Sequence, residues 1–246
     1  MNIEKLVITI LAGGEGKRMK SSIPKVLHMM KEEPMLVRII KNARQLHPYK
    51  IIVVTGRFHS LIIDTLQTYI DITDITFVNQ PIPLGTGDAI KQCLSEYENN
   101  DTVMILNGDT PLLTFSIMNL FLQKATCSCA ILVAQFDNPF GYGRIVYDHQ
   151  SRFIGIIEEK DCNEHQKQIN IVNTGIYLMN GSILKQFIPL ITNNNKQNEY
   201  YLTDIVHLIK TTSDYSIDTV LLDTCDNKYI SGVNTPEELE YLSSIA

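Results

Sequence analysis

The sequence has no unbroken apolar run approaching the ~18 residues that a membrane-spanning helix requires. It has no excess of positive charge either: 21 Lys and Arg stand against 27 Asp and Glu, for a formal charge of −6. A general nucleic-acid binder carries a basic surface to neutralise phosphates, so the balance argues against that class and requires any anionic ligand to be met by a local group of cations. No C-x-x-C pair occurs among Cys93, Cys127, Cys129, Cys162 and Cys225, and no histidine pair accompanies them. Structural zinc and a disulfide framework are therefore not expected, whereas buried or incidental thiols in a reducing compartment are. His28, His47, His59, His149, His165 and His207 are scattered and form no ligand pattern. The amino end holds Glu4 and lacks a small-residue cleavage site, which predicts no signal peptide and a cytoplasmic location. No repeat, heptad or low-complexity tail is visible, and no linker is long enough to divide the chain.

What is present is an ordinary globular composition, 44% hydrophobic and 20% charged over 246 residues, which suits one domain with a large core. The chemistry concentrates near the amino end. Residues 6–11 are apolar and rich in β-branched side chains, as a strand buried on both faces should be. A glycine-rich turn follows, Leu11-Ala12-Gly13-Gly14-Glu15-Gly16-Lys17-Arg18-Met19, and then Pro24-Lys25. Missing side chains at Gly13, Gly14 and Gly16 would let a ligand approach the backbone and would leave amide N–H groups facing phosphate oxygens. Lys17, Arg18 and Lys25 place three cations close by, which points to a polyphosphate or nucleotide. Two better-known loops are excluded. Leu11 stands where a Walker A loop needs its first glycine and Arg18 where it needs Ser or Thr; Met19 occupies the third glycine position of the dinucleotide fingerprint.

Downstream, apolar periodicity predicts helices over residues 35–46 and 61–69 and strands over 50–55, 75–78 and 102–106, with a further helix opening at Gly85-Thr86-Gly87-Asp88-Ala89. This alternation implies an α/β fold with a doubly wound, mostly parallel sheet of Rossmann type. The second half predicts a helix over 118–124, a strand over 130–133, and a short antiparallel hairpin from 145–147 and 153–157. An extended run over 169–179 follows, then helices over 183–191 and 201–209, a strand over 217–222 and a closing helix over 236–242 capped by Thr235. Residues 1–110 form the nucleotide-binding half and 111–246 the sugar-binding half of one domain.

Ligands of such sheets collect beyond the carboxyl ends of the strands, which should bring Gly14, Arg18, Lys25, Gln80 and Asp109 into one crevice. Asp109, just past an apolar strand, could serve as a magnesium ligand or as a turn former. Gln80 offers a donor and an acceptor that could match one edge of a base, or could simply be surface; Glu158 could bind hydroxyls or be an exposed strand residue.

Leu-Ala-Gly-Gly-x-Gly-x-Arg-Met with Pro24-Lys25-Val26-Leu27-His28 resembles the opening of the sugar-nucleotide pyrophosphorylases, and among them the uridyltransferase domains of the bacterial N-acetylglucosamine-1-phosphate uridyltransferases. The likeness runs on through Gly85-Thr86-Gly87, Gly108-Asp109, Gly141-Tyr142-Gly143-Arg144-Ile145, Glu158-x-Lys160-Asp161, Asn173-Thr174-Gly175, residues 198–204 and Gly232-Val233-Asn234. It implies the nucleotide-diphospho-sugar transferase fold and the formation of UDP-N-acetylglucosamine and pyrophosphate from UTP and N-acetylglucosamine-1-phosphate, with Mg2+ as cofactor. Under it, Leu11, Ala12, Gly13 and Gly14 hold the nucleotide, Gln80, Gly85 and Thr86 recognise uracil, and Asp109 and Asn234 hold the metal. Gly143, Glu158 and Asn173 bind the N-acetylglucosamine, Asn107 and Gly108 lie beside the substrates, and Arg18 and Lys25 grip the phosphates. The implied assembly is a monomer or small homo-oligomer without nucleic-acid or membrane partners and without the left-handed β-helix that carries acetyltransferase activity in two-domain relatives.

Two residues depart from the family's usual pattern. Asn107 replaces a tyrosine and Asp88 a histidine. A carboxylate at Asp88 is unfavourable beside phosphates unless it points away or caps the helix.

Overall fold

A computed structural model describes residues 5–246, so that Glu4, which entered the targeting argument, lies outside the described residues. The first half runs β1 (Leu6–Leu11), β2 (Met29–Met30), β3 (Glu33–Pro34), α1 (Met35–Arg44), β4 (Lys50–Thr55), α2 (His59–Tyr69), β5 (Ile75–Asn79), α3 (Thr86–Gln92) and β6 (Thr102–Asn107). The second half runs α4 (Phe115–Lys124), β7 (Cys129–Gln135), β8 (Arg144–Tyr147), β9 (Phe153–Ile157), β10 (Ile171–Asn180), α5 (Gly181–Phe187), α6 (Asp204–Thr212), β11 (Asp218–Leu221) and α7 (Pro236–Ser244).

Nine strands form one sheet in the order β11-β7-β10-β6-β1-β4-β5, with β8 paired to β10 and β9 to β8. The pairs β1–β4, β1–β6, β4–β5 and β11–β7 are parallel. β10 runs against both its neighbours, β6 and β7. From β1 the chain moves outward through β4 and β5, then returns to β6 on the other side of β1. That reversal opens a crevice at the carboxyl ends of β1 and β6, where the register sets Leu11 beside Asn107 and Leu11 beside Val54.

Both faces of the sheet are covered, which explains the continuous apolar runs. On one face Ile8, Ile10, Val53, Met104 and Leu106 pack with α1, α2 and α4 through Leu36, Ile40, Leu66 and Phe121. On the other, Val7, Ile52, Val54, Val103 and Ile105 meet α3, α5 and α6 through Ile90, Phe187 and Ile205. A third, smaller cluster joins Met19, Met30, Met35, Leu112, Val233 and Leu242. It fastens the loop after β1 to the segment before α7, although the two are far apart in sequence.

Several boundaries differ from the periodicity. α1 ends at Arg44 because the chain turns before Pro48, with His47 at φ 50. Pro189 cannot donate a helical bond, so α5 stops at Phe187 and continues as a 3-10 turn over Ile188–Leu190. α6 begins only at Asp204, residues 200–202 being held by loop contacts described below. The hairpin β8–β9 is present, and buried Arg144 pins it through an ion pair with Glu159 at 2.7 Å. Among the described residues no helix is long and apolar enough to cross a membrane.

Candidate active site

Three loops converge at the carboxyl edge. The first leaves β1, where the Ala12 N–H donates to Val54 O at 2.8 Å and the Gly108 N–H donates to Leu11 O at 2.8 Å, so the loops after β1 and β6 are stitched together. Gly16 sits in the left-handed region at φ 61, and a Cβ there would stand 2.6 Å from the Cβ of Lys25. The glycine thus lets Lys25 come under the loop. Gly14 differs, because nothing lies within 4 Å of the place its Cβ would occupy. Its missing side chain serves no packing need of the protein itself.

Lys25 opens a 3-10 turn, Lys25–Leu27, anchored by buried Val26 and Leu27. Its Nζ pairs with Asp109 Oδ2 and donates to Asn234 Oδ1 at 3.2 Å. Arg18 Nη2 donates to the same Asn234 oxygen at 2.8 Å. Asn234 is placed by its surroundings: the Val233 N–H donates to Asp109 O at 2.8 Å, and Thr235 and Glu238 form a reciprocal capping box at the start of α7. Two cations and two oxygen-bearing side chains therefore meet at one point. Glu15 adds an ion pair with Lys17 at 2.9 Å and another with Arg57 at 3.3 Å, and the Lys17 hydrogen bond draws its carboxyl below the ordinary range.

The opposite wall comes from β5 and α3. The Gln80 N–H donates to Thr55 O at 2.8 Å, and its side-chain Nε2 donates to Gly85 O at 3.0 Å and to Asp88 Oδ2 at 2.8 Å. Asp88 also accepts from Gln92 Nε2 at 3.3 Å, and no side chain caps α3 at Gly85, so the expectation that Asp88 might cap the helix is corrected. Gly85, at φ 115, lies so close to Tyr200 that a Cβ would stand 2.5 Å from its carbonyl oxygen. Tyr200 N–H donates to Leu84 O, Gly87 N–H to Tyr200 O, both at 2.7 Å, and Leu202 N–H to Thr86 Oγ1 at 3.0 Å. This docking explains why residues 200–202 are not helical.

Between these walls lies a cleft of about 450 Å³, within the range of small-ligand sites. Leu11, Gly13, Gly14, Arg18, Lys25, Gln80, Gly85, Thr86, Asn107, Asp109 and Asn234 line it. Ala12 and Gly108 lie behind the lining in the strand-end hydrogen bonds. Glu15, Lys17 and Glu199 also line it, though sequence reasoning gave Glu15 and Glu199 no role there. Only their neighbours in the glycine loop and in residues 198–204 signalled them.

The three residues expected around the sugar form a separate group. A Cβ on Gly143 would lie 3.5 Å from Glu158 Oε2 and 3.6 Å from Asn173 Cβ. Asn173 is already bonded at both ends, to the Tyr177 hydroxyl at 2.7 Å and to the Gly175 N–H at 3.1 Å. Glu158 accepts from Thr203 Oγ1 at 2.9 Å; burial pushes its carboxyl up, and nearby Asp204 and Asp161 add to that. Glu158 lines a second cavity of about 300 Å³ with Asp161, Tyr201 and Asp204, and none of the three lines the larger cleft. Asn107 reaches toward them, its Nδ2 donating to Thr174 O at 3.1 Å.

A parallel α/β sheet whose switch-point crevice carries an open glycine loop, two converging cations and a lone carboxylate defines a nucleotide-binding transferase. The sequence pattern of the MobA-like NTP transferase domain matches residues 8–169. A probable UDP-N-acetylglucosamine pyrophosphorylase of Acanthamoeba polyphaga mimivirus is 45% identical over 98% of this chain and 96% of its own length. The bifunctional protein GlmU of Xylella fastidiosa (strain M23) is 40% identical over 96% of this chain, which spans 50% of that relative. The chain belongs to the MobA-like NTP transferase family, in the group formed by these relatives. The fold is shared with a UDP-glucose pyrophosphorylase complexed with UDP-glucose, at a TM-score of 0.74 and 17% identity over 98% of both chains. HddC from Yersinia pseudotuberculosis superposes at 0.69 with 20% identity, over 97% of this chain and 98% of that one.

Proposed function

We propose that this protein is a nucleotidyltransferase that forms UDP-N-acetylglucosamine and pyrophosphate from UTP and N-acetylglucosamine-1-phosphate. The observation that carries the reading is the convergence of Lys25 and Arg18 on Asp109 and Asn234 beside the open Gly14 backbone. The names of the mimivirus and GlmU relatives support the choice of product.

An oxygen of the sugar phosphate attacks the α-phosphorus of UTP in line, the bond from that phosphorus to the bridging oxygen breaks, and pyrophosphate leaves. The nucleophile is already ionised at neutral pH, so no general base is required, and no covalent enzyme intermediate is needed. Catalysis then consists of positioning and charge neutralisation. Backbone N–H groups of the glycine loop receive phosphate oxygens, while Lys25 and Arg18 turn from Asn234 and Asp109 to the oxygens that gain charge. The donor set fits magnesium: one carboxylate and one amide oxygen, both hard ligands, already share the Lys25 ammonium. Asp109 and Asn234 would hold the ion, which supplies neutralisation of phosphate charge when bound. Gly143, Glu158 and Asn173 would receive the sugar, with Asn173 exchanging internal hydrogen bonds for sugar hydroxyls. A cytoplasmic location belongs to the same reading and agrees with the five unpaired cysteines.

The test is Asp109→Ala. Loss of magnesium-dependent pyrophosphate release with retention of measurable UTP binding supports the assignment; full turnover by the variant contradicts it.

A further inference from the structure

Asp88, whose carboxylate had no expected role, makes a contact that bears on base selection, and its substrate identity rests on the uridylyl-transfer reading above. Gln80 is 5% exposed and Asp88 9% exposed. Both hydrogens of the Gln80 amide nitrogen are engaged, one by Gly85 O at 3.0 Å and one by Asp88 Oδ2 at 2.8 Å. Asp88 is itself steadied by Gln92 Nε2 at 3.3 Å. The sealed polar atoms without a partner among the described residues are His28 Nε2, Asp101 Oδ1, Arg144 Nε and Asn227 Oδ1. Gln80 Oε1 is not one of them, so it opens on the cleft that Gln80 lines.

A glutamine amide can present either end, because its oxygen and nitrogen have nearly the same shape, and the partners decide which end faces which way. Here the partners leave one choice. A carboxylate and a backbone carbonyl only accept, and a reversed amide would press Oε1 against both. We propose that Asp88 is a positioning residue for base selection, holding Gln80 with its carbonyl oxygen toward the nucleotide. The cleft then accepts a base that offers a ring N–H at that point and disfavours one that offers a ring lone pair. Uracil carries hydrogen on N3, where cytosine carries a lone pair. The substrate class is therefore a nucleoside triphosphate with an imide-type pyrimidine, and the selectivity arises from a side chain behind the residue that touches the base.

Equilibrium binding of UTP and CTP to the wild-type protein, Asp88→Asn, Gln80→Ala and the double variant tests this, with thermal unfolding of each as a check on folding. The amide introduced by Asp88→Asn can show Gln80 either of its own ends, so the preference for UTP over CTP should shrink about tenfold, the difference between a charge-assisted and a neutral hydrogen bond. In the Gln80→Ala background the same substitution should change the ratio little. Asp88→Ser, which can also donate or accept, carries the same expectation and serves if the Asp88→Asn variant folds poorly. An unchanged ratio in folded variants overturns the proposal, as does an equal change with and without Gln80. Pyrophosphate release by the wild type is scored separately: its absence together with a shifted binding ratio would overturn the transfer reaction and leave base selection standing.

Discussion

Gly14→Ala should raise stability while lowering nucleotide use. The place of the added Cβ is empty to 4 Å, and Gly14 is not among the glycines in the left-handed region. Alanine there restricts the unfolded chain without strain in the folded one, a gain of about 0.4–1 kcal/mol. For a domain of this size that corresponds to a rise in Tm of about 1–4 °C. The same methyl group would stand in the cleft where a phosphate must approach the loop backbone. Displacing one hydrogen bond to a charged oxygen costs about 1.5–3 kcal/mol, or roughly a 10- to 150-fold fall in kcat/KM for the nucleotide. Thermal unfolding by circular dichroism and initial rates of pyrophosphate release read the two effects on one preparation. Unchanged kcat/KM would show that no phosphate contacts this loop at Gly14, and a lower Tm would show that the added methyl group is strained in the folded chain.

Gly85→Ala should instead destabilise the fold, since φ 115 and the 2.5 Å approach to Tyr200 O admit no side chain. A cost of roughly 2 kcal/mol, or a fall of about 4–8 °C in Tm, is expected, with faster proteolysis of the Tyr200 segment. Glu158→Gln should stabilise the protein increasingly as pH rises. The folded carboxyl is raised above its ordinary 4.5, mainly by burial, so the native state holds the proton more tightly than the unfolded chain. Wild-type stability is therefore lost from about that value upward, and the glutamine variant escapes the loss. Tm of the two proteins between pH 4.5 and 7 should diverge with the variant higher; parallel curves would contradict the assignment.

What could be read from the sequence divides along physical lines. β1, β4 and β6 are buried on both faces, and their unbroken Val, Ile and Leu runs marked them. The glycine loop was legible for the same reason, because it sits where such a strand must end. The direction of β10 was not, since pairing between two parallel neighbours leaves no trace in its own apolar pattern. β2 and β3, two residues each, are too short to carry a period. In the site, Lys25 and Asn234 meet across 209 positions because the third apolar cluster draws α7 to the loop after β1. No local spacing records that meeting. The Gln80–Asp88 contact spans only eight positions, yet its meaning depends on a turn that Gly85 and Tyr200 hold in place. The sugar-side residues were found as a group but with Asn173 bonded internally, a state that sequence types cannot express.

Pyrophosphate release with magnesium and UTP against a panel of sugar-1-phosphates bears on the proposed reaction without an intermediary. Release with N-acetylglucosamine-1-phosphate well above every other sugar is expected. Release with a different sugar alone would contradict the substrate assignment, and no release with any sugar or nucleotide would contradict the reaction itself.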